Sequence, residues 1–322
     1  MNINKKILKT IRYFSLFAYY PTLTEIYTFL QAEISKNELK KELEDMVKQK
    51  LIISSQPLMD NSQRYTVGEY GIKNIKDPSF AKASEGRQIS KRKLNSIRFR
   101  AYIKLLNLFS QIKLVGLSGS ISMMNAGEVD DIDLFIITAK NRLFTGRLIA
   151  LLSAQILGLR RGRDFKAQSR RLSQKQKSLL LQNNHKNKVC LNLFFDENDL
   201  NVPKFKQTEF VGHEVLQMKP IIIKNNIYNR FIKANLWVQD IFPNSSWIIS
   251  KIKDQRSKTS SKFKSLILKL GFDFYTLIFD LFEKVVKKMQ LSLINRHRTT
   301  EIITSSQLWF HPDDFGKKIN KT

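Results

Sequence analysis

The chain has a single cysteine, Cys190, among 322 residues. That excludes a disulfide framework and a cysteine-based zinc site within one chain, and it fits a reducing, cytoplasmic setting. Histidine is scarce as well, with four residues. His297 and His311 lack metal-ligand spacing to carboxylates or cysteines, and His185 stands in a polar stretch with no visible partner. No long apolar run is free of charge. The most apolar late segment, 266–286, carries Lys269, Asp273, Asp280, Glu283 and Lys284, which argues against a bilayer span and for an amphipathic or buried helix. The apolar stretch before Pro21 is short and aromatic, is approached through Lys9 and Arg12, and has no small-x-small cleavage site, so export is not expected. No internal repeat is present.

Acidic residues are the other shortage. Lys and Arg number 55 against 28 Asp and Glu, a net charge of +27 with pI about 10.1. This balance points to a polyanionic partner: RNA, DNA, a nucleotide or an acidic membrane face. The chain is also rich in Asn and Ile, as lysine-biased proteomes are, so composition accounts for part of the excess. Hydrophobic residues make up 42%, enough for real cores, which excludes wholesale disorder. The length suits about two domains with a helical tail.

Residues 1–75 read as three helices and a two-stranded wing, the order of a winged helix. Ile7, Ile11, Phe14 and Phe17 recur at helical spacing up to Pro21. Capping boxes at Thr22/Glu25 and Ser35/Glu38 open helices over 25–31 and 37–50. Short strands follow at 51–53 and 64–67. The third helix balances Lys36, Lys40, Lys41 and Lys48 with Glu38, Glu42, Glu44 and Asp45, so reading of nucleic acid and contact with protein both stay open. Residues 76–110 read as a linker: a loop or insertion over 76–90, then a basic amphipathic helix over 90–110. Strands at 112–117, 132–138 and 189–195, with a helix at 144–157, give residues 111–200 an α/β (α+β) core. Residues 201–322 read as a helical region, with a Lys/Ser-rich connector at 250–264 and a long helix over 265–295.

The strongest signal is Ser118-Gly119-Ser120, a ten-residue spacer, then Asp131-Ile132-Asp133-Leu134. A strand ends at Gly-Ser, and a short helix over 121–126 follows, with Gly127 placed to end it. Gly119 lets an anion approach the backbone, and the Ser120 hydroxyl adds a hydrogen bond. Asp131 and Asp133 are two apart on a strand, so both carboxylates leave one face. Paired carboxylates beside a phosphate cradle suit Mg²⁺ held against a triphosphate.

On these residues the chain resembles the DNA polymerase β-like nucleotidyltransferase superfamily, whose signature is Gly-Ser, a spacer of about ten, and Asp-hydrophobic-Asp-hydrophobic. It looks like prokaryotic nucleotidyltransferase-domain proteins with an N-terminal winged-helix-like region. Residues 17–27, 119–138 and 189–192, Gly212-His213-Glu214-Val215, Ala234-Asn235-Leu236-Trp237 and His311-Pro312-Asp313-Asp314 carry that likeness. The resemblance implies a mixed-sheet nucleotidyltransferase core, an NTP substrate, Mg²⁺ on Asp131 and Asp133, and phosphates at Gly119 and Ser120. It also implies a third carboxylate on a later strand. The matching position here holds Asn192, which can offer a carbonyl but neither charge nor a base. Asp196 is in phase with it and is the alternative ligand, about 13 Å further along an extended strand. Asp130 faces the opposite side from Asp131 on a regular strand.

Arg142 and Arg147 follow the Asp-bearing strand and are candidates for the triphosphate. The run Arg160, Arg161, Arg163, Lys166, Arg170, Arg171, Lys175 and Lys177 reads either as phosphate capture or as a solvated loop. It has only Phe165 beside it, so base stacking on single strands is unsupported. His213 and Glu214 are adjacent and point in different directions on a helix, which favours packing or a cap over an acid/base pair. Cys190 reads as a buried thiol. Three functions follow: nucleotidyl transfer from an NTP to a hydroxyl acceptor, a non-catalytic nucleotide sensor, or a nucleic-acid-binding regulator acting on RNA or DNA through the winged helix.

Overall fold

The computed structural model describes residues 2–55, 62–67, 78–161, 186–254, 272–296 and 301–310. Three helices open the chain: α1 (Ile3–Ser15), α2 (Leu23–Phe29) and α3 (Lys36–Lys48). Strands β1 (Ile52–Ser54) and β2 (Tyr65–Val67) follow as an antiparallel pair. Both expected capping boxes form, with Thr22 and Ser35 accepting from the N–H of Glu25 and Glu38 and receiving those side chains in return. Ile7, Ile11, Ile26, Leu30, Leu39 and Leu43 build a small core among these elements.

The expected loop at 76–90 is instead the start of a helix, α4 (Pro78–Asn95). Pro78 begins it, where a missing N–H costs nothing. Ser96 then breaks the expected 90–110 helix, and its hydroxyl accepts from Phe99 N at 3.3 Å to open α5 (Ile97–Leu108).

The rest is a mixed α/β unit. Its strands are β3 (Ile112–Leu117), β4 (Ile132–Thr138), β5 (Val189–Asp196), β6 (Lys219–Ile223), β7 (Ile302–Ile303) and β8 (Gln307–Trp309). Their spatial order is β6-β3-β4-β5-β8-β7. Only β4 and β5 run parallel, joined through α7 (Leu143–Ile156); the other pairs are antiparallel. The 201–322 region is therefore not only helical, because β6, β7 and β8 come from it. Pro220 fits β6 because that strand lies at the sheet edge. The helices of this half are α8 (Glu209–Gln217), α9 (Ile227–Ala234), α10 (Val238–Ile241), α11 (Ser246–Asp254) and α12 (Phe272–Asn295).

Both faces of the sheet are covered, which is why its central strands are almost wholly apolar. Val115, Ile132, Leu134, Ile136 and Phe194 pack on one side with α5, α7 and Val286 of α12. Leu114, Phe135, Ile137 and Phe195 pack on the other with α8, α9, α10 and the end of α1. Tyr13, Phe14, Tyr19 and Phe29 belong to that second cluster, so the N-terminal helices share a core with the sheet. Glu283 of α12 accepts from the N–H of Phe144 at 2.7 Å and of Thr145 at 2.8 Å, satisfying the otherwise open first turn of α7. Among the described residues, no helix is long and apolar enough to cross a membrane.

Candidate functional site

Strand β3 ends at Leu117, and the Ser118 N–H donates to the Asp133 carbonyl at 3.1 Å. The chain then turns at Gly119, with φ +59°, into the short helix α6 (Gly119–Ser122). A Cβ at Gly119 would lie 2.7 Å from Asp133 Oδ2, closer than real Cβ contacts allow. Glycine is thus required both by the left-handed backbone and by the carboxylate pressed against it. The helix is shorter than 121–126, and Met124, at φ +57°, makes the left-handed turn after it instead of Gly127.

Asp130 ties this loop together. It accepts from Gly127 N at 2.8 Å and from the Ser120 hydroxyl at 3.2 Å. The Lys93 ammonium, buried on α4, donates to the Asp130 carbonyl. Asp131 and Asp133 then present their carboxylates together. Ligand atoms of Asp131, Asp133 and Cys190 all lie within 4.8 Å of one another. Burial, followed by the negative charges of Asp131 and Glu214, pushes the Asp133 carboxyl up to about 7. Arg161 answers part of that charge: its Nη1 is 3.0 Å from Asp131 Oδ2 and donates to Cys190 Sγ at 3.1 Å. Asn192 Nδ2 donates to the same sulfur at 2.5 Å. Burial raises the Cys190 thiol far above its ordinary range.

Strand β5 carries an irregularity that decides which residues reach this cluster. Asp133 pairs with Cys190 but Phe135 pairs with Leu193, three residues against two. Cys190 therefore sits directly beside Asp133, with Asn192 on the shoulder of the same cleft. The shift also breaks the phase expected for Asp196. It pairs with Thr138 at the opposite end of β4, where it is buried and accepts from Asn198 N at 2.9 Å and Arg142 N at 3.3 Å. It is a turn-holding residue and does not join the Asp131/Asp133 pair.

Arg142 and Arg147 lie at that far end too. Arg142 pairs with Asp280 of α12 at 2.6 Å. Arg147 donates to Gln290 Oε1 at 2.6 Å and stacks on the Phe310 ring at 4.6 Å. Both hold α12 and the C-terminal segment to α7 and do not line the cleft. Of the basic run, Arg161 reaches the carboxylates and Arg160 bridges to Val189; Arg163 to Lys177 lie outside the described residues, as do His185, His297 and His311.

Glu214 is the site residue that sequence reasoning missed. It approaches from α8 and accepts from Gly119 N at 3.2 Å, occupying the N–H read as part of a phosphate cradle. Burial raises its carboxyl. A signal was there: Val211, Glu214, Val215 and Met218 follow helical spacing and all line the cavity, so Glu214 is an acid inside an apolar stripe. His213, next to it, turns away. Its ring stacks between Tyr13 at 3.8 Å and Phe29 at 4.2 Å, and burial lowers its pKa well below 6.5, so it is a neutral packing residue.

A cavity of about 620 Å³ opens in front of these groups. Ser118, Gly119, Ser120, Asp131, Asp133, Asn192 and Glu214 form its polar end, and aromatic and aliphatic side chains form the rest. No family model, curated protein or solved structure matches the chain.

Proposed function

We propose that this chain binds an NTP with Mg²⁺ at the Gly119 turn and transfers its nucleotidyl group to a hydroxyl acceptor. The observation that carries the reading is the contact between Gly119 and Asp133, a Gly-Ser turn built with no room for a side chain against one of two paired carboxylates. Asp131 and Asp133 offer the hard oxygen donors that suit Mg²⁺, whereas the protonated thiol of Cys190 does not. A bound ion would offset charge on the phosphates. Arg161, and not Arg142 or Arg147, meets the phosphates, since it already stands at Asp131. Glu214 holds the Gly119 N–H until a phosphate oxygen replaces it. The acceptor oxygen attacks the α-phosphorus, the bond to the β-phosphate bridge oxygen breaks, pyrophosphate leaves, and the hydroxyl proton passes to solvent.

Asn192, standing where the resemblance puts a carboxylate, and the Cys190 thiol beside Asp133 favour a second reading as a nucleotide sensor. Pyrophosphate release from each of the four NTPs separates the two. Release that is lost in Asp131→Asn/Asp133→Asn supports transfer. Tight NTP binding with no release under any acceptor tried supports the sensor.

A further inference from the structure

We infer that the apolar part of this cavity receives a small hydrophobic ring compound bearing a hydroxyl group, and not a nucleic acid. This deepens the transfer reading by naming the class of acceptor; the hydroxyl and the acceptor role rest on that reading, and the apolar ring does not.

The first ground is the wall. Tyr13, Phe17, Phe195, Phe210, Phe231 and Trp309 line the space beside Asp133. Phe195 packs 5.2 Å from Trp309 and 6.2 Å from Phe231, centroid to centroid, so these rings form one continuous surface. The Trp309 Nε1–H already donates to Gln307 Oε1 at 3.0 Å, which leaves the indole as an apolar wall. Rings lining the cavity wall favour a flat, apolar body. The volume, about 620 Å³, falls inside the range of small-molecule sites, roughly 300–1,000 Å³.

The second ground is charge. The chain carries +27, yet Asp130, Asp131, Asp133, Glu209 and Glu214 line the cavity against Lys206 as its only basic lining residue among those described. Lys9 pairs with Glu209 at 2.8 Å and Arg161 with Asp131 at 3.0 Å, from outside that lining. A nucleic-acid backbone needs basic contacts along its path and meets carboxylates here. An anionic ring compound is opposed for the same reason.

The third ground is construction. Tyr13 on α1 and Phe17 just beyond it come from the N-terminal helical segment, and both form part of the cavity wall. At the mouth, Phe205 is 70% exposed on the turn at Lys204–Lys206, an apolar side chain left in water beside the opening.

The test uses tryptophol, with indole-3-acetate as its anionic counterpart, titrated into the full chain by saturation-transfer NMR without Mg²⁺ or nucleotide. At pH 8 tryptophol is expected to bind, and indole-3-acetate at least about tenfold more weakly because its carboxylate meets like charge. Phe205→Ala, on the exposed rim, is expected to weaken tryptophol while leaving the circular dichroism spectrum unchanged. Val215→Phe, which fills the cavity, is expected to abolish binding; if that variant fails to fold, Phe205→Ala still decides. A twelve-residue oligoadenylate is expected not to displace tryptophol, and Mg²⁺–ATP is expected to bind beside it. No tryptophol binding to the folded chain, equal binding of indole-3-acetate, no effect of Phe205→Ala, displacement by the oligonucleotide, or displacement by Mg²⁺–ATP would each overturn the inference. Because the ring is titrated without metal or nucleotide, failure here and failure of the transfer reading are separate results.

Discussion

Replacing Gly119 by alanine separates two costs that the site combines. An L-residue in the left-handed region costs about 1–2 kcal/mol. Gly158 pays only that in Gly158→Ala, since its φ is +65° and the nearest neighbour of an added Cβ is Arg98 Nη1 at 3.9 Å. Gly119→Ala adds the 2.7 Å contact with Asp133 Oδ2, and forced contacts in packed sites add about 1–3 kcal/mol. The expected totals are about 1–2 kcal/mol for Gly158→Ala and about 2–5 kcal/mol for Gly119→Ala. Gly127→Ala is the control for the loop itself. Its φ is not in the left-handed region and its Cβ would meet Asp130 at ordinary contact distance, 3.4 Å, so it should stay within about 0.5 kcal/mol of wild type. Urea unfolding at pH 7 measures all three. Nucleotide binding should fail in Gly119→Ala and survive in Gly158→Ala, because only the first moves Asp133. If Gly119→Ala costs no more than Gly158→Ala, Asp133 does not press on the turn and the site geometry is wrong.

Other consequences follow from the same contacts. Asp133 in the folded chain holds its proton up to about pH 7, against 3.8 without the fold, so the native state binds the extra proton between those values. Stability is therefore greatest at low pH in this window and is lost as pH rises through 7; Asp133→Asn should be more stable than wild type at pH 8 by about 1–3 kcal/mol, with the gap closing toward pH 4, as read by urea midpoints. His213 has the opposite sign: its lowered pKa means that stability present above about 6.5 is lost as pH falls, a limb that His213→Phe should remove. His213→Phe should cost under about 1.5 kcal/mol and His213→Ala about 3 kcal/mol, with faster proteolysis of the N-terminal helices in the alanine variant. Arg147→Ala should cost about 1 kcal/mol through its lost Gln290 and Phe310 contacts and leave nucleotide binding unchanged by calorimetry.

The central strands were legible because a sheet buried on both faces must be written as continuous apolar runs, and the bounds of β3 and β4 agree with the expected 112–117 and 132–138. Capping boxes marked α2 and α3 for the same local reason. Strand β6 was hidden by Pro220, whose place at an edge depends on the order of distant strands. Helix α4 was hidden by Pro78, Gly86 and its serines, which read locally as a loop. At the site, Gly119, Asp131 and Asp133 came together as their spacing implied. The irregularity between Cys190 and Leu193 was not legible, and it put Asp196 on the other face of the sheet while bringing Cys190 to Asp133. Glu214 depends on how α8 docks against the Gly119 turn, a contact across 95 residues. Arg142 and Arg147 were misplaced because proximity along the chain put them at the start of α7, and the long strand β4 separates that end from the carboxylates.

Calorimetric titration of the four NTPs in Mg²⁺, comparing wild type with Asp131→Asn/Asp133→Asn, tests the metal–nucleotide site most directly. Micromolar binding of at least one NTP by wild type, lost in the folded variant, is the predicted result. No binding by folded wild type, or binding that the two substitutions leave intact, would contradict it.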